Sequence, residues 1–253
     1  PWHNPVLLAE QTATIDLLSG GRLDFGVGQG YRNNEFTGFC IPMEEADERF
    51  EEALAVLVRA WTSDRPWSHH GKYWQFDSVV VEPPTAQKPH PPLWMGGGRP
   101  ASIRRVAEHG ANLLLDQFAP IEQIGERIAR FKAEVQARGR TFDPASVAVT
   151  RSVYVTATEA ERQQALQTRL AARRRVARLA QTPDGANPSS ILSYADTLEA
   201  SEAGALYGTP DEIAAKLQAL RDAGAEYVLL NSAGGIATLR RFARDIAPAF
   251  SRA

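Results

Sequence analysis

Residues 19–36 read SGGRLDFGVGQGYRNNEF, and the reading of this stretch decides the fold. Four apolar side chains (Leu23, Phe25, Val27, Tyr31) are threaded through Gly20, Gly21, Gly26, Gly28 and Gly30. Glycine at alternate positions from Gly26 to Gly30 marks backbone that can come close to a ligand. Three readings compete: a dinucleotide loop, the open end of a barrel strand, and a turn softened by glycine. A dinucleotide fingerprint needs G-x-G-x-x-G running straight into a helix, with an acidic residue about 20 positions on. Here the spacing is G-x-G-x-G, Tyr31 stands where the third glycine belongs, and RNNEFTGF is not expected to start a helix. A strand whose carboxyl end opens into a site fits better, because barrel ligands bind at that face. The plain alternative is that the glycines only relieve crowding inside a barrel.

Bulk properties narrow the class. A chain of 253 residues can bury a sizeable core as one large α/β domain or two small ones. With 43% hydrophobic and 23% charged residues the composition is that of an ordinary globular protein. A net charge of −2 gives no electrostatic reason to expect nucleic acid or an anionic membrane. Cys40 is the single cysteine, which excludes an intrachain disulfide and a thiolate metal cluster. No apolar run approaches the ~20 residues needed to span a bilayer, and no signal-peptide pattern is present, so a cytoplasmic protein is expected.

Outward from the glycine stretch the elements alternate. Asn4-Pro5 predicts an N-cap and first helical residue, with VLLAEQTATIDLL continuing the helix until Ser19-Gly20-Gly21 stops it. RLDFGVG reads as a strand. ADERFEEALAVLVRAW follows as a helix with Phe50, Leu54, Leu57, Val58 and Trp61 on one face. Residues 66–90 alternate aromatic and polar side chains around Gly71, a hairpin excursion. PLWMG, NLLLD, VAVTRSVYVT and EYVLLN read as further strands. The helices between them include Pro100–His109, one carrying Ile124, Ile128, Phe131 and Val135, and an arginine-rich one to about Ala180. Residues 181–208 read as a loop insertion. Thr209-Pro210-Asp211-Glu212 is a capping box with proline at the first helical position, and a last helix is expected from about Ala237 to the end.

Strands rich in Val, Leu and Phe, without clean alternation, are covered on both faces and belong to a parallel sheet. A doubly wound sheet and a (β/α)8 barrel both satisfy this pattern. A barrel needs eight strands in about 250 residues, whereas about five core strands are legible, and the chain opens on a helix.

At this point the residues carry a resemblance. HNPVLLAEQTATIDLLSGGRLDFGVGQGYRNNEFTGF, ERFEEALAVLVRAW, GKYWQF with EPPTAQKPHPPLWMGG, and YGTPDEIAAKL with DAGAEYVLL resemble the bacterial luciferase-like flavin-dependent monooxygenases. LSGGRLDFGVG combined with QKPHPPLW is the most specific part. The resemblance implies a (β/α)8 TIM barrel, here a single domain over residues 1–253, with its first three strands absent from this chain. It also implies reduced FMN with O2, or a reduced deazaflavin instead, acting on a small organic substrate. A flavin reductase supplying reduced flavin is the implied partner. An open edge of a parallel sheet invites pairing with a second copy, so a homodimer is expected.

Site residues follow position by position. Gln29 stands where the family often has a phosphate-binding arginine; it can donate a hydrogen bond but supplies no charge. Arg49 matches a family arginine on the same side of the flavin phosphate and can compensate; otherwise it is a solvated helix charge. In WMGGGRPAS a strand ends in glycines and a helix begins near Pro100, so free N–H groups, the helix dipole and a hydroxyl make an anion site. Gly97, Gly98, Arg99 and Ser102 are the cofactor candidates there. Asp116, Gln117 and Arg151, at or near strand ends, are the substrate candidates, with scaffold as the competing role. A buried Arg151 should either pair with a carboxylate or await an anion.

Other features carry less. His69 and His70 are adjacent in an extended hairpin, point to opposite faces and cannot easily share a metal. His90 reads as a loop residue. Arg169, Arg173, Arg174, Arg175 and Arg178 read as a solvated or acid-paired helix face, and Cys40 as a small buried hydrophobe. No triad or metal motif is needed if a flavin performs the chemistry. The rival reading is a shortened relative without flavin, with a structural or partner-binding role; a dinucleotide-dependent dehydrogenase lacks its fingerprint.

Overall fold

A computed structural model describes residues 1–185, 187 and 189–251. The chain forms two compact units, Pro1–Trp94 and Met95–Ala253.

The first unit opens with helix α1 (Pro5–Ser19), capped as its sequence predicts. Asn4 Oδ1 accepts from the backbone N–H groups of Val6 at 3.0 Å and Leu7 at 3.1 Å. Gly20 ends it in the left-handed region at φ 68°, a conformation that glycine adopts without a Cβ penalty. Strand β1 (Phe25–Val27) is shorter than RLDFGVG suggested. Residues 33–38 correct another expectation, for they form a short helix, α2 (Asn33–Gly38). Arg32 pairs with Glu35 at 3.1 Å, and buried Phe36 meets the Trp2 ring edge-on at 5.0 Å. Tertiary burial thus overrides the weak local signal.

Helix α3 (Ala46–Thr62) buries Phe50, Leu54, Leu57 and Trp61, and the Trp61 indole donates to the Ala9 carbonyl at 3.1 Å. Strands β2 (Trp67–His70) and β3 (Gln75–Val79) pair antiparallel as the expected hairpin. Glu52 of α3 holds that hairpin, accepting from the backbone N–H groups of Tyr73 at 3.0 Å and Trp74 at 2.8 Å. Strand β4 (Leu93–Gly96) follows. Phe25 N–H donates to the Pro92 carbonyl at 2.9 Å, setting β1 beside the residues that lead into it.

The second unit is built on parallel strands. Helix α4 (Pro100–Glu108), strand β5 (Asn112–Leu115), helix α5 (Ile121–Ala137) and strand β6 (Val147–Val155) come first. Ile124, Ile128, Phe131 and Val135 are all buried, as their spacing predicts. Helix α6 (Glu159–Ala180), helix α7 (Leu198–Ala203) and strand β7 (Ala205–Gly208) follow, then helix α8 (Pro210–Asp222), strand β8 (Tyr227–Ser232) and helix α9 (Gly235–Asp245). Residues 113–115 of β5 face 147–149 of β6, and 205–208 of β7 face 152–155. Strand β8 runs along 148–153 and overlaps both registers. Strand β8 therefore holds one edge of β6, while β5 and β7 share the other. Seven of the nine β6 residues are buried, the both-faces coverage expected of a parallel strand.

The region read as a loop over 181–208 contains α7 and β7, which is a correction. Residues 198–208 are too short for a readable period, and burial of all four β7 residues supplies what local pattern lacks. Residues 186 and 188 of that stretch lie outside the described residues. Helix α9 also departs from expectation: it begins at Gly235, stops at Asp245 and gives way to a 3-10 turn over Ala247–Ala249. Among the described residues, no helix is long and apolar enough to cross a membrane.

Candidate functional site

In the second unit the candidates converge on the carboxyl end of β5. Asp116 Oδ1 accepts from the backbone N–H groups of Phe118 at 2.8 Å and Ala119 at 3.2 Å. Its Oδ2 accepts from the Tyr194 hydroxyl at 2.7 Å and Arg127 Nη1 at 3.2 Å. One carboxylate thus ties the turn after β5 to α5 and to the segment before α7. Burial, and next the negative charge of Asp116, hold the Tyr194 phenol well above its ordinary pKa, so it stays a neutral donor.

Arg151 lies beneath this turn at 1% exposure. Its guanidinium donates to the carbonyls of Asp116 (3.1 Å), Thr150 (3.0 Å) and Ala119 (2.9 Å). This corrects the expectation that it would pair with a carboxylate or wait for an anion: three main-chain oxygens hold its guanidinium. Burial pushes its pKa down to about 10, opposed by Asp116 and reinforced by Arg169 and Arg127. At neutral pH it remains charged and acts on the site through the Asp116–Ala119 backbone.

Arg169 performs a similar task from α6. Its Nε donates to the Ser201 carbonyl at 3.0 Å, Nη1 to Gln117 Oε1 at 3.0 Å and Nη2 to the Gln117 carbonyl at 2.6 Å. The guanidinium sits 5.2 Å from the Phe118 ring centre and 5.9 Å from that of Tyr207. The arginine run is therefore not one uniform face. Arg169 and Arg173 are buried, while Arg173 and Arg174 converge on Asp196 at 2.9–3.0 Å. The phase of α6 carried a usable signal, since Arg169 and Arg173 repeat with Ala165, Leu166 and Leu170 at helical spacing.

The glycine turn before α4 is also in this unit. Ser102 Oγ accepts from the N–H groups of Gly98 at 3.2 Å and Arg99 at 3.0 Å, and donates back to the Arg99 carbonyl at 2.9 Å. Two of the N–H groups expected to face an anion are thus held by the serine. A Cβ on Gly98 would come 2.7 Å from Ser190 Oγ and 3.6 Å from the Arg127 guanidinium carbon. The turn is accordingly a tight, polar cradle that gathers Ser102, Ser190 and Arg127, with Arg99 exposed at its rim.

The first unit holds the other candidates. Gln29 is half-buried at the end of the glycine stretch. Arg49 pairs with Glu45 at 2.7 Å and lies 4.3 Å over the Tyr73 ring. A Cβ at Gly26 or Gly28 would meet nothing within 4 Å, whereas at Gly30 it would strike the Trp2 ring at 2.8 Å. Relief of crowding therefore accounts for Gly30 alone. Phe25 to Gly28 instead line a cavity of about 280 Å³, with Leu8, Phe50, Leu54 and Leu57 as apolar walls.

The remaining features have local partners. His69 meets Glu52 at 3.1 Å and His70 meets Asp77 at 3.4 Å, on opposite faces of β2. The His90 ring lies 5.7 Å from that of Trp61. Cys40 is exposed at φ 56°, which overturns its expected burial: the chain turns sharply after α2 and leaves it outside. Sequence reading missed Arg127 and Tyr194, which lie 67 residues apart and meet only through tertiary folding.

Comparison with known proteins gives a consistent picture. The family model for luciferase-like monooxygenases matches residues 1–227. An FMNH2-dependent dimethylsulfone monooxygenase of Pseudomonas putida is 28% identical over 244 residues, which span 90% of this chain and 66% of that protein. The crystal structure of the monooxygenase RslO1 from Streptomyces bottropensis superposes with a TM-score of 0.80 at 26% identity, covering 99% of this chain and 75% of that one. An F420-dependent secondary alcohol dehydrogenase shares the fold at 20% identity and a TM-score of 0.76, over 99% of this chain and 77% of that one. The chain spans about half to two thirds of the length of the curated relatives it matches.

Proposed function

The chain belongs to the luciferase-like monooxygenase family, matched over residues 1–227, and from that premise we propose that it is a flavin-dependent oxidoreductase. The reaction is oxygenation of a small organic substrate with reduced FMN and O2. The observation that carries this reading is the convergence of a polar glycine cradle and the β5 strand end within one parallel α/β unit. Ligands of such folds bind outside the carboxyl ends of the strands.

The residues present fit a flavin phosphate. Ser190 brings a hydroxyl to the cradle, Ser102 holds its shape, Arg127 and Arg99 bring charge, and the start of α4 brings its dipole. Gly97 and Gly98 keep the backbone bare. In the first unit, Gln29 and Arg49 are the proposed cofactor contacts. Reduced flavin supplies electrons and activates O2 when bound. The protein's share is to bind, orient and exclude water: Asp116 fixes the β5 turn, Gln117 faces the ligand, and Arg151 supports both from below. The dependence of the Pseudomonas relative on FMNH2 supports a flavin reductase as partner. A homodimer is proposed with it.

Titration with FMN and with a reduced deazaflavin, followed by fluorescence, tests the reading. Saturable quenching by one of them is the expected result. No response to either would sink it and favour a non-catalytic relative.

A further inference from the structure

Gln117 holds a fixed orientation that its sequence position does not reveal. Arg169 offers donors only, so the side-chain oxygen of Gln117 must face it, as the 3.0 Å contact records. The planar amide then turns its NH2 group the other way. Flipping it would set NH2 against a guanidinium, donor against donor. Among the described residues, that NH2 group has no hydrogen-bond partner, and Gln117 is only half-buried.

The support is rigid on every side. Arg169 also grips the Gln117 carbonyl at 2.6 Å and is held by Ser201 and by the Phe118 and Tyr207 rings. A Cβ at Gly204 would come 2.7 Å from the carbonyl oxygens of Gln117 and Phe118, so the chain before β7 is pressed onto this backbone. Three guanidinium groups (Arg127, Arg151, Arg169) surround the turn against the single carboxylate of Asp116, which leaves the local charge positive.

We propose that Gln117 is a specificity-determining donor, its amide NH2 aimed by Arg169 as a positioning residue, and that it takes an oxygen acceptor of the ligand such as a carbonyl, sulfonyl or carboxylate. A ligand group that only donates is rejected, because it would meet the NH2 and the positive field together. The use of this donor in oxygenation rests on the flavin reading above; its binding preference does not.

The test uses the whole chain and three probes: dimethyl sulfone and acetate as acceptors, and methylammonium as a donor. The Gln117 NH2 signals are assigned through the residue's own backbone amide and followed by NMR during each titration. Both acceptors should shift that pair saturably, and methylammonium should not. In Gln117→Glu the new carboxylate still pairs with Arg169, so folding is retained while the outward group becomes an acceptor. Affinity for the acceptors should fall about tenfold, the worth of one well-placed hydrogen bond, and methylammonium should gain. In Arg169→Lys the charge stays but the fork is lost, and the Gln117 pair should broaden as the amide begins to flip. A Gln117 pair that stays still up to the solubility limit of both acceptors would overturn the proposal. Equal acceptor affinity in Gln117→Glu would do the same. FMN titration of the same sample reports separately on the flavin reading.

Discussion

Asp16 and Gln87, 71 residues apart, meet through both ends of one carboxylate. Asp16 Oδ2 accepts from the Gln87 backbone N–H and Oδ1 from its side-chain amide, both at 2.8 Å. The same amide reaches the Leu23 carbonyl at 2.7 Å. Asp16 is fully buried, so these contacts replace the water its charge loses. They join the end of α1, the approach to β1 and the QKP loop, which explains why LSGGRLDFGVG and QKPHPPLW belong together.

Replacing Gln87 with alanine should therefore destabilise the first unit by about 2–3 kcal/mol, the cost of removing a hydrogen bond from a buried charge. Urea unfolding followed by tryptophan fluorescence measures it. A change below about 0.5 kcal/mol, the range of ordinary surface substitutions, would show that Asp16 finds other partners.

Acid should release the hairpin. Burial alone raises the Glu52 pKa, but the N–H groups of Trp74 and Tyr73, together with His69, outweigh it and leave the carboxyl below its ordinary value. A depressed folded pKa gives stability that is present above the unfolded value, about 4.3, and is lost as pH falls through the folded one. Trp67 and Trp74 fluorescence should change over that window in wild type and lose this acid step in Glu52→Gln. Gly71→Ala should loosen the hairpin at any pH, since its Cβ would collide with Glu52 and His69.

At the glycine cradle, Arg99→Ala and Ser190→Ala should each weaken FMN more than riboflavin, because only FMN carries the phosphate. A charge-assisted contact is worth about 1.5–3 kcal/mol, so the FMN-to-riboflavin affinity ratio should fall about tenfold or more. An unchanged ratio in both variants places the phosphate elsewhere.

Tyr194→Phe keeps the ring contact with Phe118 and removes the hydroxyl shared by Asp116 and Arg127. The expected cost is about 1 kcal/mol, concentrated in the segment before α7. Hydrogen exchange should rise over residues 189–197 and stay level in β6. Uniform exchange across the unit would assign the hydroxyl a global role.

Much of this protein was open to sequence reading wherever a local rule suffices. Asn4 caps α1 and Thr209 caps α8 because a side-chain oxygen one turn from an orphan N–H needs nothing else. The buried faces of α3 and α5 follow from a 3.6-residue period, and the parallel sheet from strands apolar on both faces. The turn into α4 was legible from its glycine run and the proline that opens the helix. Tertiary structure decided what depends on partners distant in the chain. It folded Asn33–Gly38 into a helix by burying Phe36, left Cys40 outside, and made a strand of Ala205–Gly208. It also turned Arg151 and Arg169 from a site candidate and a surface charge into supports for one backbone turn. A buried guanidinium is stable only where several oxygens converge on it, and such convergence is a property of space, which no spacing along the chain records.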